Sequence, residues 1–258
     1  IAIVPLFVQI GDVSLKDGQD IQADEVVTSF EEKGLLAKTA AVSIGEYIEF
    51  FKKYTDDGYH VIHVNIGGNF STCYQNACLA GQEFDNVTVI DSQNLSTGQG
   101  HIVIRAAQLR DEGKDPQEIK SVLENLIPRI DASFLLDTLT YLHKGGRCSA
   151  IAALGGNLLK LKPCIEVKNG KMVVGKKYRG DLCKCYKQYV KDRLSNVESL
   201  EDDLIFVTHS PRKEDILEVV KNGVMEKNYF KNIEVTKAGC TITSHCGPKT
   251  LGILYIRK

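Results

Sequence analysis

The sequence predicts an α/β protein: two α/β lobes with mainly parallel sheets and a β-hairpin in the second lobe. Two observations carry this. Short apolar runs rich in branched residues alternate with helical stretches along most of the chain, the rhythm of strand–helix–strand units with parallel strands. After about residue 130, two alternating runs flank Asn169-Gly170 in KPCIEVKNGKMVVGKKY. An Asn-Gly pair is the strongest short hairpin signal, because both central residues of the tight turn need positive φ.

The opening IAIVPLFVQI has no basic leader, contains Pro5 and runs into Gly11-Asp12, so it reads as a strand and not a signal peptide. A doubly wound lobe ordinarily places a strand, turn and helix before this point. The expectation is therefore an N-terminal lobe lacking its first strand in the chain as it stands. Thr39 follows a possible short strand, and Ser43-Ile44-Gly45-Glu46 is a capping box opening IGEYIEFFKKY. The apolar run Val61–Ile66 leads into Gly67-Gly68, after which Ser71 begins a helix. Val87–Ile90 is a strand, and Asp115-Pro116 supplies a cap and a first-turn proline for QEIKSVLENLI.

Ser133–Asp137 opens the second lobe. The hairpin comes next, then a helix over Asp181–Leu194 and a strand over Leu204–Thr208. In Arg212–Lys227, Ile216, Val219, Val220 and Val224 share one helical face. Leu251–Ile256 is the last strand. With no repeats, low-complexity tracts or flexible linker, the expected lobes, residues 1–130 and 131–258, pack together and form a crevice.

Composition narrows the function. Apolar residues at 43% and charged residues at 25% fit a globular protein with a real core. A net charge of −1 leaves no electrostatic footprint for nucleic acid or an anionic membrane. No apolar run approaches the roughly eighteen residues of a transmembrane segment. Eight cysteines (Cys73, Cys78, Cys148, Cys164, Cys183, Cys185, Cys240 and Cys246) occur in a chain too long to need a disulfide framework. Cys183-Lys184-Cys185 lies within an expected helix, and no second pair has zinc-ligand spacing. These are read as reduced structural thiols of a cytoplasmic protein, with no cofactor and no metal.

The chemistry-bearing residues stand at chain corners. Glycines after a strand and a hydroxyl at a helix start suit an anion, because backbone N–H groups then point outward at the positive helix end. Gly67-Gly68 with Ser71 has that form; the plainer reading makes Ser71 an ordinary N-cap. In LTYLHKGGRCSAIAALGGNLL, Gly145-Gly146 turns the backbone and aims Arg147 ahead of a small-residue helix beginning at Cys148. The plainer reading is a helix C-cap and a surface arginine. Arg179 ends the hairpin before Gly180 and a cap at Asp181, and alone reads as a solvated charge. His245, beside the Cys246-Gly247-Pro248 turn, reads as a loop–strand corner facing either core or cleft. His63 and His101 are isolated; His60, His143 and His209 read as near-surface.

There is no G-x-S-x-G, no G-x-x-x-x-G-K-[ST], no H-E-x-x-H and no G-x-G-x-x-G. Hydroxyls, glycines, arginines and one histidine suit binding an acidic group better than chemistry on it. Two other classes stay open: an enzyme using His245 with Cys246 or Ser71, and a small-molecule sensor or metal-binding module using the cysteines.

Taken together, VPL with a following Asp17-Gly18, KTAAVSIGEY, NFSTCYQNA, VIDSQNLSTGQG, LTYLHKGGR, KPCIEVKNG, KYRG and SHCGPKTLG resemble the DegV family in family order. Members of that family are the fatty-acid-binding subunits of bacterial fatty acid kinase. The resemblance implies a long-chain fatty acid such as palmitate, stearate or oleate. Its carboxylate would be held by Thr39, Ser71 and His245, and its chain would lie in a ligand tunnel between the lobes. It implies a separate fatty acid kinase catalytic subunit as partner, with Arg147 and Arg179 serving the partner or phosphate. Three frames depart from the family pattern: Thr39-Ala40-Ala41-Val42-Ser43 stands for T-S-Q-P-S, Phe70-Ser71-Thr72-Cys73-Tyr74 for L-S-G-T-Y, and Lys249 follows Pro248 where glycine is usual.

Overall fold

The computed structural model describes residues 1–147, 161–212 and 214–258; the small-residue helix expected from Cys148 onward lies outside them. The chain opens with β1 (Phe7–Ile10), β2 (Val13–Lys16), α1 (Ala23–Lys33) and β3 (Lys38–Ala40). Residues 1–6 precede β1 without regular structure, so the opening strand is shorter than the apolar run implies. Strand β1 lies between β2 and β3, antiparallel to both. Val8, Ile21 and Val26 pack beneath this sheet with Cys240 from the far end of the sequence.

Next come α2 (Ile44–Thr55), β4 (Val61–Asn65), α3 (Cys73–Gly81), β5 (Val87–Asp91), α4 (Ser96–Asp111) and α5 (Pro116–Leu126). The expected caps are present: Ser43 accepts from the Glu46 amide, and Asp115 accepts from those of Gln117 and Glu118. Strands β4 and β5 pair in parallel. Tyr47, Phe51 and Ala77 gather with Val61, Val87 and Val89, whereas Ile102, Leu109 and Leu123 gather with Ile62, Val64 and Ile90. Alternate side chains thus feed two separate cores, as period-two strand geometry requires.

The remaining elements are β6 (Ile130–Leu135), α6 (Thr140–Gly145), β7 (Leu161–Lys168), β8 (Lys171–Arg179), α7 (Leu182–Arg193), β9 (Leu204–His209), α8 (Glu214–Met225), β10 (Asn232–Lys237), α9 (Cys240–Cys246) and β11 (Leu251–Ile256). The strands form one six-stranded sheet in the order β10-β9-β11-β6-β7-β8. Leu135, Cys164, Val207 and Ile253 belong to the core shared with α7 and α8. Ala132, Phe134, Ile165 and Phe206 belong to another, which Phe70 and Leu95 join from the first half of the chain. The hairpin turns at Asn169 (φ 51°) and Gly170 (φ 70°), the two positive-φ residues its sequence called for.

The α/β class holds, but the expectation of mainly parallel sheets does not. Among the described strands, parallel pairing is confined to β4–β5 and β9–β10; β11 runs antiparallel to β6 and β9, and β6–β7 and β7–β8 are antiparallel. A strand covered on both faces is continuously apolar in either arrangement, so the run LGILYI carries no direction signal. His209 also departs from expectation: it is buried at the end of β9, not near the surface. Among the described residues, no helix is long and apolar enough to cross a membrane.

Candidate functional site

A cavity of about 320 Å³ is lined by β3, the loop after β4, α6, the β7–β8 hairpin and α9. Ile66, Phe70, Leu95, Leu142, Met172 and Ile242 give it apolar walls. Its polar groups include Thr39, Ser71, Thr241, His245 and Arg147. Of the residues singled out from sequence, Thr39, Ser71, His245 and Arg147 therefore meet at one site. Arg179 does not: it is exposed at the end of β8, paired in register with Leu161, and is not among the residues lining the cavity.

His245 lies in the last turn of α9, so the expected loop–strand corner is a short helix followed by Gly247. Its Nε2 is 2.7 Å from Thr39 Oγ1, the closest tie between the two ends of the sequence at this site. Its Nδ1 is buried without a hydrogen-bond partner among the described residues and lies against the Gly145 backbone. A proton on Nδ1 would have no acceptor among those residues, which favours the tautomer protonated at Nε2, donating toward Thr39. Burial first, and the positive charge of Arg147 second, push the imidazole down to about 4. His245 is therefore a neutral donor at pH 7.

Ser71 precedes α3, whose N-cap is Thr72, so it stands just outside the helix that it was expected to begin. Its Oγ accepts from the Cys73 amide at 3.2 Å, leaving its own proton to donate. The glycines before it do not form the expected anion cradle. The Gly67 amide donates to Asn94 O at 2.8 Å, and the Gly68 amide donates to Asp91 Oδ1 at 3.0 Å. Gly67 instead permits close approach, since a β-carbon there would lie 3.0 Å from both Asn94 N and Phe70 Cδ2.

Arg147 follows the left-handed Gly146 that caps α6, and its Nη1 donates to Gly145 O at 3.0 Å. Thr241 carries no motif and was not singled out from sequence. It is four residues before His245 on α9, hence on the same helical face, and its buried hydroxyl has no partner among the described residues. Cys246 lines the cavity too, but burial pushes its thiol up to about 12. No group of three or more His, Cys, Asp or Glu suited to a metal ion occurs among the described residues.

These features define an α/β protein with an apolar-walled cavity that Thr39, Ser71, Thr241, His245 and Arg147 also line. The family model described as "Uncharacterised protein, DegV family" matches residues 1–258, and the chain belongs to the DegV family. A DegV domain-containing protein of Clostridium acetobutylicum is 33% identical over 261 residues, spanning 100% of this chain and 91% of its own length. The solved DegV family protein of Thermus thermophilus, described by its fatty acid binding, superposes with a TM-score of 0.91 at 28% identity, covering 99% of this chain and 91% of its own. A stearic-acid-binding protein of Eubacterium ventriosum gives a TM-score of 0.87 at 26% identity, with 99% and 91% covered.

Proposed function

We propose that this protein binds one long-chain fatty acid and presents its carboxylate to a separate ATP-dependent kinase. We read the chain as two lobes, residues 1–130 and 131–258, with the acyl chain between them. Thr39, Ser71 and His245 hold the carboxylate. The observation that carries the reading is the 2.7 Å contact of Thr39 with a neutral His245, in an apolar-walled cavity that Ser71 also lines.

Each part of such a ligand needs different treatment. At ~0.8 kcal/mol per buried CH₂, a tail of about fourteen methylenes contributes on the order of 11 kcal/mol gross, and association costs remove much of it. A buried carboxylate without donors is very costly. Two hydroxyls and an Nε2–H can satisfy it, each charge-assisted bond contributing roughly 1.5–3 kcal/mol.

Phosphorylation then requires a carboxylate oxygen to attack the terminal phosphorus of ATP. The bond to the bridging oxygen breaks, and acyl phosphate and ADP result. The sequence has no phosphate loop of the G-x-x-x-x-G-K-[ST] type, so we assign that chemistry to the partner and make this chain the carrier. Arg147 and Arg179 serve the partner or the phosphate, and the setting is the cytoplasm, where ATP and reduced thiols coexist.

The test is lipid extraction and mass spectrometry of protein purified from a bacterial host, with oleate and palmitate titration of the delipidated protein. About one fatty acid per chain is expected. Absence of co-purified lipid together with no binding of either acid overturns the reading. The alternative of a thiol enzyme at Cys246 is disfavoured, because a thiol held near 12 supplies almost no thiolate at neutral pH.

A further inference from the structure

Asp17 lies immediately after β2 and is not among the residues that line the cavity. Its two carboxylate oxygens accept from the first two amides of α9, Cys240 N to Oδ1 and Thr241 N to Oδ2, each at 2.7 Å. The preceding residue, Gly239, fits closely against this carboxylate; a β-carbon there would stand 3.1 and 3.2 Å from its two oxygens. The surrounding turn is fixed in its own right. Asp17 N donates to Leu6 O at 2.9 Å, Gly18 N donates to Ile21 O at 3.1 Å, and Cys240 Sγ donates to Ile21 O at 3.2 Å.

Helix α9 has seven residues and is about 10 Å long, too short to hold a fixed direction by its own backbone bonds. It is pinned at both ends. Asp17 holds the N-terminus, and Thr39 meets His245 in the last turn. Both pins are carried by β1: Lys16, next to Asp17, pairs with Phe7, and Thr39 pairs with Val8. A ligand carboxylate that engages Thr39 and His245 competes for the second pin, whereas the Asp17 pin does not depend on occupancy.

We propose that Asp17 is a positioning residue for ligand binding: by clamping the Cys240 and Thr241 amides it sets where α9 presents His245 beside Thr39. This rests on the reading of His245 as a head-group ligand given above. An aspartate at a helix start usually contributes local stability alone; here its distinguishing consequence is transmitted to the other end of the helix.

The experiment uses Asp17→Asn and, as a variant that keeps the charge, Gly239→Ala, which crowds the same carboxylate from the helix side. Histidine-selective NMR reads the His245 imidazole, and oleate titration reads affinity. Asp17→Asn is expected to move the His245 resonances and weaken oleate binding about tenfold, as for the loss of one charge-assisted hydrogen bond. Gly239→Ala is expected to do the same to a smaller extent, about threefold, for a carboxylate displaced but not removed. In a His245→Ala background Asp17→Asn should add less than about a twofold loss, the signature of one pathway.

A lower unfolding midpoint with unmoved His245 resonances and unchanged oleate affinity would reduce Asp17 to a structural cap and overturn the inference. So would an undiminished affinity loss in the His245→Ala background. If wild-type protein binds no oleate yet Asp17→Asn moves His245, the positioning role stands and the ligand reading falls.

Discussion

The backbone of Gly145 lies against the imidazole of His245, so close that a β-carbon at position 145 would overlap Nδ1. A matching relation exists two residues further on, where a β-carbon on Gly247 would overlap the ring of Tyr141. Helices α6 and α9 thus interlock through two glycines, each facing a ring on the other segment. The motifs Y-L-H-K-G-G-R and H-x-G-P, remote in sequence, are two halves of one contact. Gly145 has no positive φ, so close approach alone explains it there.

Gly145→Ala is expected to displace the His245 ring. Overpacking costs about 1–3 kcal/mol, read by urea unfolding, and oleate affinity falls with it. Gly247→Ala should destabilise more, because φ of 75° with ψ of −179° adds roughly 1–3 kcal/mol of backbone strain for any residue with a side chain. Combining it with Tyr141→Ala should recover the overlap part of the loss and not the strain. Wild-type stability in Gly145→Ala would refute the packing argument.

Removing head-group donors should weaken binding without unfolding the chain. His245→Ala, and Ser71→Ala combined with Thr39→Ala, are each expected to lower oleate affinity at least about tenfold, since each charge-assisted bond contributes roughly 1.5–3 kcal/mol. Circular dichroism should stay native. Unchanged affinity takes those residues out of the site.

Acid should destabilise the fold through buried histidines, His101 being lowered by burial alongside His63 and His245. Burial lowers His63 to about 4, and burial with Arg147 lowers His245 to about 4, from an ordinary 6.5. Between those limits the unfolded chain binds protons that the folded chain refuses, so unfolding takes up protons and stability falls as the pH drops. The contribution is fully favourable above about 6.5 and is lost on the way to about 4, at most about 3 kcal/mol for each residue. Urea midpoints at pH 7, 5.5 and 4.5 should decline, with a shallower decline in His245→Ala. A midpoint independent of pH over that range contradicts the assignment.

Cys246 should resist thiol reagents in the folded protein at neutral pH and react only on unfolding, because its thiol is buried and pushed up to about 12. The readout is mass spectrometry after a short iodoacetamide pulse. Rapid native-state labelling of Cys246 would return the thiol-enzyme reading to consideration.

For Arg179→Ala, oleate binding should be retained, since this side chain is exposed and is not among the residues lining the cavity. Acyl-phosphate formation with the kinase should be impaired. A normal rate of product formation with the partner kinase would remove Arg179 from that role.

Local chemistry was legible in the sequence; pairing over distance was not. The Asn169-Gly170 turn and the Ser43 and Asp115 caps appear where their residue types demand, because each depends on φ or on hydrogen bonds within four residues. The direction of β11 was hidden, since burial on both faces erases the alternation that distinguishes one-sided strands. Helix α9 was hidden by its length, seven residues being too few to display a 3.6-residue period before Gly247 ends it. Ser71 and His245 stand out at chain corners, whereas their joint role with Thr39 on a carboxylate comes by resemblance. Asp17 was only part of a motif until its oxygens were seen on the Cys240 and Thr241 amides. Thr241 carried no signal beyond its helical spacing from His245.

Strand β11 occupies the middle of the six-stranded sheet, joining β9–β10 on one side to β6–β7–β8 on the other. During synthesis those two pieces exist before the strand that welds them, each showing bare backbone amides and carbonyls along an open edge. The sheet cannot close until residues 251–256 have left the ribosome. That is the interval in which a chaperone has most to shield and a protease most to cut.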